Sequence, residues 1–258
     1  MIAVPAWIAM LTITVVCAST SSAASPSPQA GAGRPSGPVQ QRIAPGLADL
    51  TDEVLFGDVW QRPELSPRDR SLVTVSVLIA TGKPAQLVGH LGRALDNGVQ
   101  PREASGLLAH LAIYCGWPSA VSALEVFDQV YAARRVDTST LGAVGPRLPS
   151  LASDAARAEA VTRVLGPVAP KFAQLTTDVV FADLWRRPDL TVRDRSLITI
   201  AALAAMGDDD QLAPYVERAL ESGLTAAQIG EALTHLAFYA GWPRATRALT
   251  AVTRAVAR

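Results

Sequence analysis

The chain has 258 residues, 49% of them hydrophobic and 18% charged, which suits a packed core and argues against disorder over most of its length. Its 23 basic and 23 acidic residues cancel, so the basic excess or stripe expected of a nucleic-acid binder is missing. No glycine-rich phosphate loop of either standard spacing is present.

The N-terminus reads as an address. An apolar run over residues 8–16 is followed by small residues, and Ser22-Ala23-Ala24 fits a signal-peptidase site before Ser25. A signal peptide over 1–24 and an exported protein, periplasmic or secreted, are therefore expected. No Lys or Arg precedes the run, which leaves an uncleaved N-terminal membrane anchor as the alternative; the run is near the short limit for spanning. Thr14 stands where a lipobox usually has Leu, which argues against lipidation at Cys17. With the signal removed, Cys115 is the only cysteine, so neither an intramolecular disulfide nor a Cys-built metal site can form. It reads as a small core residue. Residues 25–42, rich in Pro, Gly, Ser and Gln, read as a flexible leader, with order beginning near Ile43.

An internal repeat organises the rest. Phe56 recurs as Phe181, 125 positions later, and the same offset pairs Trp60 with Trp185, Asp69 with Asp194, Arg70 with Arg195, Arg93 with Arg218, His110 with His235 and Tyr114 with Tyr239. The agreement runs without a gap into Gly116-Trp117-Pro118 against Gly241-Trp242-Pro243. The two copies span 43–131 and 168–258, with a polar connector over 132–167.

Each copy reads as helices. The first is expected over 45–59, ended by the residue before Pro63. Ser66-Pro67-Arg68-Asp69 is a helix start, with Ser as N-cap, Pro at N1 and an acid at N3. The helix that follows is apolar nearly all round and therefore buried, and Gly82 or Gly207 closes it. Further helices are expected over 84–96, from 99 to Gly116, and over 120–134. The fold class is all-α: two tandem helical units related by a pseudo-twofold that buries their central helices.

The elements LSPRDRSLVTVSVLIATG, H-x-x-R-A-L-x-N-G-V and HLAIYCGWPSA resemble the carboxymuconolactone decarboxylase family, and the second copy resembles it equally well outside the histidine. The resemblance implies a helical unit that assembles into trimers or hexameric rings, hence a homo-oligomer, a trimer of pseudo-dimers. It also implies one of two chemistries. The alkylhydroperoxidase D type uses Glu-x11-Cys-x2-Cys-x3-His. Set on His90, that pattern falls on Ser71, Lys83 and Gln86, and in the second copy on Ser196, Asp208, Gln211 and Tyr215. With no cysteine in the pattern there is no thiolate, so a peroxidase role is the least favoured reading. The decarboxylase type acts on a small carboxylated lactone or enol acid, with neither metal nor organic cofactor, because the lactone is itself the electron sink. No stable membrane partner is expected.

His90 is the candidate general acid/base, suited to proton transfer near neutral pH. Arg70, Arg93, Arg195 and Arg218 are candidate carboxylate ligands, with Arg70 and Arg195 alternatively pairing with an acid across the pseudo-twofold, and Trp117 is a candidate pocket wall. Trp117 and Trp242 read otherwise as corner packing, and His110 and His235 as packing or helix-to-helix hydrogen bonds. Asp69 and Asp194 read as helix caps, and Glu103 as a surface acid favoured by the helix dipole. Tyr215 stands where the first copy has His90, so the fold does not require a histidine there. The first copy then reads as the working half and the second as its structural partner, with Glu231 or Tyr215 as groups it could lend across the interface. A non-catalytic or ligand-binding assembly protein stays open as the alternative.

Overall fold

The computed structural model describes residues 34–142 and 144–257, whose compact unit begins at Pro35. The expected signal peptide, Cys17 and most of the leader lie outside the described residues. Every regular element among them is helical. The first copy contains α2 (Pro45–Asp49), α3 (Pro67–Ala80), α4 (Pro84–Asp96), α5 (Pro101–Tyr114) and α6 (Trp117–Ala133), preceded by α1 (Gly37–Ile43). After the connector helix α7 (Asp154–Leu165), the second copy repeats the order as α8 (Pro170–Leu175), α9 (Val192–Met206), α10 (Leu212–Glu221), α11 (Ala226–Ala240) and α12 (Trp242–Val256). Thus all of α1 but its last residue lies inside the stretch expected as a flexible leader, and α7 lies inside the connector. Ser36 anchors α1 by donating its N–H and hydroxyl to the Asp52 carboxylate at 2.8 and 2.9 Å.

The helix expected over 45–59 is three pieces: α2, a π-helical stretch Leu50–Phe56 and a 3-10 turn Val59–Gln61. The second copy breaks alike, at Thr176–Phe181 and Leu184–Arg186. A π turn widens the helix beyond the 3.6-residue period that apolar spacing assumes. Its consequence is that Trp60 and Trp185 turn inward and are buried.

The caps that start α3 and α9 are formed as written in the sequence. Ser66 Oγ accepts from the Asp69 N–H at 3.1 Å, and Thr191 Oγ1 from the Asp194 N–H at 3.0 Å. The two acids do more than start helices. Asp194 takes Arg68 of the other copy at 2.9 Å, and Asp69 takes Arg193 at 2.7 Å, a reciprocal pair across the pseudo-twofold. Glu103, expected as a plain surface acid, closes its own helix start by accepting from the Gln100 N–H at 2.8 Å, and pairs with Arg68 at 2.8 Å. Gly116 and Gly241 sit at φ +83° and +94°, where a side chain is strained, and turn the chain into α6 and α12. The tryptophans that follow are not packed into the corner: Trp117 and Trp242 are 66% and 62% exposed.

Helices α3 and α9 pack on each other at the centre, with α11 of the second copy lying on α3 and α5 of the first on α9. This crossing puts residues of both copies into each half. The centre also buries two guanidinium groups completely, Arg70 and Arg195. Arg70 Nη2 donates to Glu231 Oε1 at 2.9 Å and to the Arg62 carbonyl at 2.8 Å. Arg195 Nη2 donates to the Asp189 carboxylate and to the Arg187 carbonyl. The counter-acid therefore comes from the opposite copy in one case and from the same copy in the other. Gly106, at the position of Glu231, is what allows this, because a Cβ there would lie 2.7 Å from Asp189 Cγ.

Removing one partner of such a buried pair strands a charge. Asp189→Ala should lower the unfolding free energy by about 3–5 kcal/mol in urea titrations. Adding Gly106→Glu, which supplies the acid from the geometry used by Glu231, should restore most of that loss.

Candidate functional site

Two aromatic clusters, related by the pseudo-twofold, sit where α4 and α10 meet the crossed helices. The first takes Trp60, Thr74, His90 and Arg93 from the first copy and His235 and Tyr239 from the second. The Trp60 indole stacks on His90 at 6.3 Å between ring centroids and 13° between planes. Its edge-on neighbour is His235 at 4.8 Å, and its N–H donates to the Tyr239 hydroxyl at 2.9 Å. Tyr239 meets His90 edge-on at 5.2 Å.

The tautomer of His235 follows from its hydrogen bonds. The Thr74 hydroxyl donates to the Arg70 carbonyl at 2.9 Å, so toward His235 Nε2, 2.8 Å away, Thr74 can only accept. Nε2 therefore carries the proton and Nδ1 the lone pair. That Nδ1, His90 Nδ1, and Nε and Nη1 of Arg70 are buried with no hydrogen-bond partner among the described residues. Orphan polar atoms are rare in protein interiors, and four of them around one cluster mark it as a polar site. Burial, with Arg93 adding to it, brings the His90 pKa down to about 4; burial, Arg70 and His90 bring His235 down to about 3. Both rings are neutral at pH 7. Burial raises the Tyr239 hydroxyl to about 12, against the stabilising hydrogen bond from Trp60.

Arg93 is exposed, with its guanidinium carbon 4.6 Å from the Phe56 ring centroid and 5.3 Å from that of Trp60. Its guanidinium makes no hydrogen bond or ion pair among the described residues. It also borders an open cavity of about 560 Å³ between α4 and α6. At the other end of the cluster Glu231 accepts from both Arg70 and Arg62, at 2.9 and 2.8 Å. Burial alone would raise its carboxyl, but these two arginines hold it below the usual range.

The second cluster has the same frame and different chemistry. His110 Nε2 lies 2.8 Å from Thr199, whose hydroxyl donates to the Arg195 carbonyl at 2.7 Å, and Trp185 donates to Tyr114 at 2.7 Å. Here, however, His110 Nδ1 is engaged by Arg195 Nη1 at 3.3 Å. Tyr215 fills the place of His90, stacked on Trp185 at 6.2 Å. Arg218 lies 4.2 Å over Trp185, but it is buried and pairs with Asp154 at 2.7 Å.

Of the residues singled out in the sequence, His90 and Arg93 share the first cluster, with Arg70 and Glu231 on its inner side. Tyr215 and Arg195 belong to the second cluster and are not brought to His90. Trp117 belongs to neither. It lines an apolar groove of about 660 Å³ with Ile113, Val121, Leu124 and Val179, in which His90 takes no part. Sequence reasoning passes over Trp60 and Thr74 as site residues; it reads His235, four residues before Tyr239, as packing or a helix-to-helix hydrogen bond, and that bond is formed with Thr74 of the other copy. Their signal is their presence in both copies, which folding alone would also explain. Cys115 is half-buried, and burial, with Asp208 adding to it, pushes its thiol up to about 12, so no thiolate stands at neutral pH. Among the described residues no group of His, Cys, Asp or Glu is placed to hold a metal ion, and no helix is long and apolar enough to cross a membrane.

The sequence profile of the carboxymuconolactone decarboxylase family matches this chain twice, over residues 45–129 and 170–254. The chain belongs to that family. It is 38% identical over 76 residues to 4-carboxymuconolactone decarboxylase of Acinetobacter baylyi, covering 30% of this chain and 57% of the relative. It is 38% identical over 78 residues to nitrosuccinic acid decarboxylase npaB of Metarhizium robertsii, covering 30% and 54%. The aligned stretch thus spans little more than half the length of these decarboxylases. In this family member the frame of aromatic, histidine and threonine side chains is present twice, whereas His90 and an uncommitted arginine are present once.

The neutral histidines have a consequence for stability. An unfolded histidine titrates near 6.5, and the folded values of about 4 and 3 lie below it. The unfolded chain therefore binds more protons below pH 6.5, and stability present above that pH is lost as the pH falls through the folded values. Urea midpoints should drop between pH 7 and pH 5, before most carboxylates titrate. His235→Gln, which keeps a donor for Thr74, should flatten that drop.

Proposed function

We propose that the first cluster is the active site of a cofactor-free decarboxylase acting on a small carboxylated lactone or enol acid. The observation that carries this reading is the contrast between Arg93, exposed and unpaired beside His90, and Arg218, buried and paired beside Tyr215. The relatives named for decarboxylation of 4-carboxymuconolactone and nitrosuccinic acid support the reaction class.

In this reading Arg93 takes a substrate carboxylate on its free N–H edge. The bond between the reacting carbon and its carboxylate breaks, CO2 leaves, and the electron pair passes into the conjugated carbonyl as an enolate. The His90 imidazolium then gives its proton to carbon. His90 is neutral before substrate arrives, so the proton must be taken up on binding. A carboxylate on Arg93 offsets the positive charge that helps depress His90, and its own negative charge favours the imidazolium. Glu231, committed to Arg62 and Arg70, serves the frame and not the proton transfer.

With 4-carboxymuconolactone as substrate, His90→Ala should lower kcat by about 10²–10⁴-fold. Arg93→Ala should mainly raise KM, and Tyr215→Phe should leave the rate unchanged. Equal rates for wild type and His90→Ala would refute the assignment. Calorimetric binding heats should depend on the ionisation enthalpy of the buffer, reporting proton uptake; heats independent of the buffer would exclude the coupled protonation.

The homo-oligomer belongs to the same proposal. Trp117, Val121 and Leu124 expose an apolar stripe on α6, beside the exposed acids Glu125 and Asp128. On α12 Trp242 is exposed likewise, with the exposed Arg254 near the C-terminal end of the helix, while Arg247 is paired with Asp209. Leu124→Glu should reduce the sedimentation coefficient of the assembly to that of a single chain. Export, carried by residues 1–24, completes the proposal.

A further inference from the structure

The connector helix α7 is the feature that the proposed reaction leaves unused. It buries none of its residues. Besides the half-buried Ala158, Val161 and Leu165, charged and polar groups hold it: Ser153 donates its N–H and hydroxyl to Glu221 at 3.2 and 2.5 Å, Asp154 pairs with Arg218 at 2.7 Å, and the Arg157 guanidinium lies 3.4 Å over the Phe181 ring. Asp154 and Arg157 thus cover the ring and the arginine that correspond to Phe56 and Arg93. At the same offset the first copy has Gln29 and Ala32, which carry no charge for such a pairing.

We propose that the second copy keeps a latent carboxylate-binding site, formed by Arg218 over Trp185, which Asp154 of α7 occupies as an internal ligand. The inference rests on the carboxylate reading of Arg93. Arg218 is 5% exposed while α7 is docked, so no external anion reaches it in this state. A tethered carboxylate acts at an effective concentration on the order of millimolar, which excludes a free carboxylate present below that level. A helix without buried side chains opens at low free-energy cost compared with the core. The wall exposed by opening would be Phe181, Trp185 and Tyr215, rings whose faces suit a planar unsaturated carboxylate. With Tyr215 in place of His90, the site binds such a ligand without turning it over.

The test is calorimetric titration of wild type and of the Asp154→Ala/Arg157→Ala variant with cis,cis-muconate. The variant should bind one more ligand per chain than wild type, and adding Arg218→Ala should remove that extra site. Asp154→Asn, which leaves the shape of α7 intact, should show the same extra site and guards against a folding artefact in the double variant. Equal stoichiometry in wild type, double variant and Asp154→Asn would overturn the latent site while leaving the first site standing. No binding by wild type with one site in the variants would support the latent site and count against the Arg93 reading.

Discussion

Two fully buried guanidinium groups constrain this fold more than any other feature. Removing a charged group from water costs several kcal/mol, and the cost is offset only by a well-placed counterion and by hydrogen bonds to the remaining donors. Arg70 and Arg195 each meet one carboxylate and one backbone carbonyl; the contacts of Arg70 tie α3 to α11 and to the loop after the 3-10 turn Val59–Gln61, and those of Arg195 tie α9 to the loop after Leu184–Arg186. The carbonyl of each arginine also receives the hydroxyl of the threonine one turn later. That bond leaves the threonine able only to accept from the histidine across the interface. The buried charge, the tautomer of His235 and the polar wall of the site are therefore linked through consecutive atoms.

The same constraint shows how a duplicated chain becomes unequal. Two identical halves would place the same acid at both arginines, but Gly106 removes one and Asp189 supplies another from a different element. In the second half Arg195 also bonds His110 Nδ1, whereas in the first Nη1 of Arg70 and Nδ1 of His235 are both left over. The frame tolerates this because Trp60 and Trp185 keep their bonds to Tyr239 and Tyr114. A side chain can then be exchanged in one half without loss of packing, and Tyr215 shows how: an aromatic ring on Trp185 preserves the stack that His90 makes with Trp60.

Much of the architecture is legible in the sequence because it is local. Ser66 and Thr191 as caps, the glycines at the corners and the apolar central helices are written within a few residues of where they act. The 125-residue offset reveals the pseudo-twofold, and the exchange of histidine for tyrosine points to His90. The crossing is not legible. Nothing in the spacing of α11 says that His235 and Tyr239 serve the first half and not their own, so residues shared by both copies read as scaffold. The π-helical turns are hidden because apolar periodicity assumes a constant 3.6 residues per turn. Trp117 misleads for a different reason: its place after a corner glycine suggests burial, whereas burial depends on what lies across from it.

The remaining question is how an arginine can be positioned and yet left free to bind. An acid partner would hold the guanidinium but occupy the edge that recognises a carboxylate. The ring faces avoid that conflict. Attraction between a cation and an aromatic face is worth about 0.5–1 kcal/mol at an exposed site, and it acts on the plane of the group, not on its N–H edge. Arg93 lies over Phe56 and Trp60 in this way, with its donors uncommitted. Arg218 has the same seat over Phe181 and Trp185, but its edge is taken by Asp154. The aromatic floor is thus common to both halves and sets where the cation sits. Whether the edge of that cation is free or taken follows from one carboxylate on the connector.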